Sequence, residues 1–189
     1  TVHEHFRINA LTHQRITPRN ASHYGTSMAI LAGDLALAWA DEEISKLKLQ
    51  NSNVKANLLL AYQQMKEQVI LGQSLDVMRQ FGFADISQTQ INEIKSAWYS
   101  VVWPLTIGAI LVDATKKNIL HLQQYGLLAG RAYQLKDDLM DDDITNEDFT
   151  ARVRMYKSRV RKLIDAFPAD HQGKKLMSDV AAFVVTRNS

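Results

Sequence analysis

The chain has 189 residues, 46% of them hydrophobic and 22% charged, with 22 Lys and Arg against 20 Asp and Glu for a formal net charge of +2. That is the profile of a soluble globular chain long enough for one domain with a real core, and its near-neutral charge gives no argument for nucleic acid as a partner. With no cysteine, disulfides and thiolate metal sites are excluded. No apolar run is read as spanning a bilayer: the nearest, Ser100 to Ala114, is interrupted by Pro104 and Asp113.

The chain opens on Thr1 to Ser22, where no hydrophobic period is evident and Thr17-Pro18 with Asn20 reads as loop. From about Tyr24 to Leu49 the apolar positions Met28, Leu31 and Leu35 predict a helix. Asn51-Ser52-Asn53 breaks it. A long helix follows from Val54 to about Phe81, apolar at Leu58, Ala61, Tyr62, Met65 and Val69. Ser87 is the predicted N-cap of a helix starting near Gln88, and Pro104 bends or divides that helix from a segment Leu105 to Lys117. Further helices are expected at about Asn118–Asp141, Arg152–Phe167 and Gly173–Arg187. Nothing alternates like a strand, so the fold class is all-α, with residues 1–189 as one domain.

Two polar stripes stand out. Residues 133–143 read YQLKDDLMDDD, five aspartates in seven residues at the end of an otherwise apolar helix. A helix C-terminus carries partial negative charge and favours cations, so the cluster opposes the dipole. Gln134, Asp137, Asp138 and Asp141 are three, four or seven apart and share a face. Either that face is open to water, as a plain solvated helix end would be, or a hard cation such as Mg²⁺ sits on it, sharing the site with substrate phosphates. The second stripe is Gln73 and Asp76 beside Gly72, a helix-interior glycine of the kind that marks a close approach. Taken singly, it and Lys95-Ser96 are weak signals. The histidines at 3, 5, 13 and 23 lack ligand spacing and read as surface or loop residues, and the basic run from Arg152 to Lys162 reads as a solvated helix face.

Taken together, the stretches HYGTSMAILAGDLAL (23–37), ILGQSLDV (70–77), IKSAW (94–98), GLLAGRAYQLKDDLMD (126–141) and the terminal KLMSDVAAFVVTRNS resemble the polyprenyl synthetase family of trans-isoprenyl diphosphate synthases, the makers of geranyl, farnesyl and geranylgeranyl diphosphates. The resemblance implies an isoprenoid-synthase bundle of long helices around a central cavity, as a cytoplasmic homodimer. It implies a Mg²⁺-dependent prenyltransferase that condenses isopentenyl diphosphate with an allylic diphosphate. By position, Asp137, Asp138 and Asp141 correspond to the second metal-binding motif, joined by Gln134, with Asp137 foremost. Lys95 corresponds to the lysine on the allylic diphosphate, and Ser96 stands where the family usually has threonine. Gln73 and Asp76 correspond to the element facing the cavity.

Measured against the family pattern, Thr1-Val2-His3 matches the tail of the stretch that follows the first aspartate-rich motif, so that motif is expected upstream of Thr1. A block is expected to be missing around Asp142–Thr145, and a further omission near Lys157-Ser158. Two rival readings are a regulatory subunit of a heteromeric prenyl synthase and a class I terpene cyclase. The intact second motif argues against the first. The Gln134-x-x-Asp137-Asp138 pattern argues against the second, whose motif is built on Asn, Ser and Glu.

Overall fold

The computed structural model describes residues 1–13, 16–140 and 144–186, with Lys95 described by its backbone alone. The chain divides into two compact units, Thr1–Gln50 and Asn51–Ser189, and among the described residues every regular element is helical.

The first unit is a helical hairpin of α1 (Val2–His13) and α2 (Pro18–Ser45). The stretch without an evident period contains helix α1, and of the expected loop at Thr17-Pro18 and Asn20 only Thr17 lies outside a helix, since α2 starts at Pro18. Segment α1 forms because its weakly periodic face packs on α2: Phe6 meets Tyr24 edge-on at 6.3 Å, and Ala10 and Ala21 are buried. Gly25 allows the two backbones to approach, since a Cβ there would lie 2.5 Å from the carbonyl oxygen of His3. Helix α2 is capped by Thr17, whose hydroxyl accepts from the Asn20 N–H, with Pro18 opening the helix where its missing N–H costs least.

The second unit begins with α3 (Ser52–Gln80), capped by Asn51, whose side chain accepts from the N–H groups of Asn53 and Val54. Gly82, at φ 73°, ends it. Ser87 is the predicted N-cap in fact: it forms a capping box with Gln90 and starts α4 (Gln88–Asn92). From Glu93 to Val102 the helix widens into a ten-residue π-helix, closed by the Trp103 N–H donating to the carbonyl of Trp98. Pro104 stands in the first turn of α5 (Trp103–Leu111), which ends at Leu111 rather than the expected Lys117, with Asp113 in left-handed backbone at φ 53°. Next come α6 (Lys116–Met140), α7 (Asn146–Ala166, capped by Thr145) and α8 (His171–Thr186).

Helix α6 is the axis of this unit, packed against the π-helix, α5, α7 and α8. One flank is a side-chain core of Tyr125, Ala132, Tyr156, Val160, Ile164, Ala181, Val184 and Val185. Its two phenols are satisfied by backbone: Tyr125 Oη donates to the carbonyl of Met177 at 2.6 Å, and Tyr156 Oη to that of Ala181 at 3.1 Å. Burial raises both phenols above the usual tyrosine range, Tyr125 to about 12. On another face, α6 meets the π-helix through Gly126 and Gly130. A Cβ at Gly130 would lie 2.5 Å from Ala97 Cβ, and one at Gly126 would lie 3.1 Å from Val102 Cα. Helix α3 closes over the same run, with Trp103 Nε1 donating to Gln68 Oε1 at 2.8 Å.

Contrary to the sequence expectation, the continuous helical run Gln88–Leu111 is long and apolar enough to cross a bilayer by length and composition. It is also the run whose Ile91, Ala97, Val102, Trp103 and Ala109 are buried in the core, as a packed interior helix of a globular fold would be.

Candidate active site

The aspartates at the end of α6 are held by helical spacing. Gln134 Nε2 donates to Asp138 Oδ1 at 2.9 Å across one turn, which fixes the carboxylate and leaves its other oxygen available. Both side chains are half-buried, and both line a groove of about 300 Å³ bounded by α4 and the π-helix, α6, and α7. Its floor is apolar, with Ala97, Leu128, Ala132, Leu135 and Tyr156, and its rim carries Met155, Glu93, Arg131, Arg152 and Arg159. Arg131 Nε donates to Glu93 Oε2 at 2.8 Å, joining α6 to the start of the π-helix.

Asp137 lies a third of a turn round the helix from Asp138, half-buried and engaged with a neighbour. Asp141 lies outside the described residues. Lys95 belongs to the π-helix, and its neighbour Ser96 is half-buried there. Gln73 and Asp76 are not brought to the α6 aspartates within this groove. Gln73 is exposed on α3 in a separate shallow groove with Val69, Ile70 and Val77, while Asp76 stands 3.5 Å from Gln88 Nε2.

Sequence reasoning did not single out Glu93 and Arg131, whose pairing spans 38 positions and leaves no local pattern. It assigned Arg152 and Arg159 to a solvated face. Both are exposed, but their spacing of seven, with Met155 and Tyr156 between, is the periodic signal that places them on the groove.

Among the described residues no three His, Cys, Asp or Glu side chains gather as a metal site. Asp137 and Asp138 are two hard oxygen donors on one helix end. That fits the mode in which Mg²⁺ keeps its waters and takes one or two carboxylates plus phosphate oxygens.

Residues 13–151 match the polyprenyl synthetase family. The geranylgeranyl diphosphate synthase of Cyanophora paradoxa is 30% identical over 144 residues, covering 72% of this chain and 47% of that protein. The short chain isoprenyl diphosphate synthase of Methanocaldococcus jannaschii is 29% identical over 119 residues, 62% of this chain and 36% of that protein. The chain thus spans about half, or less, of these curated relatives. Among solved structures, the geranylgeranyl pyrophosphate synthase of Corynebacterium glutamicum, complexed with isoprenyl diphosphate and magnesium, superposes with a TM-score of 0.76 at 21% identity, covering 100% of this chain and 70% of that one. The match over residues 13–151 places this chain in the polyprenyl synthetase family.

Proposed function

We propose that the chain is the metal-binding portion of a Mg²⁺-dependent trans-prenyltransferase that condenses isopentenyl diphosphate with an allylic diphosphate, working as a cytoplasmic homodimer and within one catalytic domain. The observation that carries the reading is the Gln134–Asp138 pair on the groove face of α6, in a chain of this family. When bound, Mg²⁺ supplies neutralisation of the charge that develops on the departing diphosphate. Asp137, Asp138 and Asp141 are its protein ligands. Gln134 orients Asp138, and Lys95 with Ser96 binds the diphosphate. Gln73 and Asp76 are assigned to the substrate by the family resemblance alone, since Gln73 lies in a groove separate from that of Asp138. The apolar lining beside Asp138 excludes water from the chain-bearing end of the substrate.

Asp137→Ala tests the assignment. Metal-dependent condensation falls by at least about 100-fold, while the apo protein keeps its melting temperature or gains, because one carboxylate leaves a crowded face. Normal condensation by the variant refutes the metal role and leaves the aspartates as a solvated helix end.

A further inference from the structure

We propose that Glu93 and Arg131 are positioning residues for the diphosphate site, their ion pair setting the rotation of the π-helix, and with it the placement of Lys95-Ser96, against the aspartate face of α6. The inference rests on the reading of the previous subsection and adds to it a pair of residues that contact no substrate there.

The geometry begins with the register of the seam. Glu93 meets Arg131, Ala97 meets Gly130, and Val102 meets Gly126. On the π-helix these contacts span nine residues from 93 to 102, where two turns of α-helix take about seven. The widened turn therefore changes which residues face α6, and some contact has to fix the new register. The glycine contacts set how closely the two helices approach, through Ala97 and Val102. The ion pair is directional. Its charge-assisted bond of 2.8 Å is made at the first residue of the π-helix, two positions before Lys95.

On α6, Arg131 precedes Gln134 by three residues and Asp138 by seven, so all three share a face and line one groove with Glu93. Stability does not require this pair. The Arg131 side chain is 52% exposed and that of Glu93 28%, and pairs so open to water contribute little to folding. A rim ion pair of small energetic weight, joining the two segments that would hold one ligand, is a device for alignment.

The test uses the complete protein with Mg²⁺ and inorganic pyrophosphate as probe, titrated calorimetrically, beside melting temperatures and steady-state kinetics. Arg131→Met and Glu93→Gln each weaken pyrophosphate binding roughly tenfold, the usual effect of removing a supporting partner. They raise KM for the allylic diphosphate more than they lower kcat, and they leave melting unmoved. The exchanged pair, Glu93→Arg with Arg131→Glu, restores binding. Single variants that bind like wild type overturn the proposal, as does a loss of binding that tracks a loss of thermal stability. An exchanged pair as weak as the singles also overturns it, since a glutamate at 131 repels pyrophosphate if that position touches the ligand directly. Wild-type protein that binds no pyrophosphate with Mg²⁺ overturns the prenyltransferase reading itself, and this inference with it.

Discussion

Helix α6 solves two packing problems in two ways. Toward α7 and α8 it presents Tyr125, Ala132 and Leu128 to a core in which bulky side chains interdigitate and phenols reach carbonyls on α8. Toward the π-helix it presents Gly126 and Gly130, and the contact is backbone on backbone. The first flank draws its strength from buried apolar area, the second from proximity. The difference teaches where each flank is fragile: the aromatic side fails when atoms are removed, the glycine side when they are added.

Removing atoms has the largest effect. Tyr156→Ala leaves a cavity beside Val160 and Ile164 and costs about 3–5 kcal/mol, read from urea or guanidinium unfolding. Tyr156→Phe keeps the volume and costs about 1 kcal/mol for the lost bond to Ala181. A Phe variant as damaging as Ala would show that the hydroxyl, not the ring, holds this flank.

The same phenols give the aromatic flank a pH limit. Their folded-state values lie above the ordinary value of 10.0, at about 12 for Tyr125, so the neutral form is favoured by folding. The stability this represents is fully present below pH 10 and is lost as pH rises toward 12, by about 1.4 kcal/mol per pH unit for each ionising tyrosine. Unfolding midpoints measured across that window should fall steeply in wild type and flatten in a Tyr125→Phe, Tyr156→Phe double variant. Equal slopes would assign alkaline unfolding to other groups.

On the glycine flank the prediction reverses in sign. Gly130→Ala gains about 1 kcal/mol of helix propensity but forces a methyl to 2.5 Å from that of Ala97, an overpacking of about 1–3 kcal/mol, for a net loss of about 1 kcal/mol. Gly108→Ala on α5, where an added Cβ meets nothing within 4 Å, is the matched control and stabilises by up to about 1 kcal/mol. Thermal melts of the two variants should move in opposite directions. A shift of the same sign in both would mean that propensity alone governs and that the seam gives way.

The long helices are legible in the sequence because their apolar spacing and breaks agree with one another, as at the break Asn51 and the N-cap Ser87, whereas the start of α7 at Asn146 falls six residues before the expected Arg152. Helix α1 is not, because VHEHFRINALTH has little amphipathic signal of its own and becomes helical against α2; the hint was Gly25, which lets the two backbones meet. The π-helix is likewise invisible from periodicity, since a pattern read at 3.6 residues per turn has no place for two residues more in two turns. Within the site, the spacing of Gln134, Asp137 and Asp138 could be read because it lies on one helix. The Glu93–Arg131 pair could not, because opposite charges 38 residues apart become partners only when two helices choose a common register.

The close contact between positions 97 and 130 also constrains how this chain can change over generations. The two sites share room for a single methyl, now carried by Ala97. A lineage can move that methyl to position 130 by two routes. Ala97→Gly first opens a small gap and sacrifices some helix propensity, and Gly130→Ala then fills the gap. Gly130→Ala first passes through a clashing intermediate. Each route passes through one intermediate less stable by about 1 kcal/mol or more, so positions 97 and 130 are heritable as a pair: a change at either one is compensated at the other.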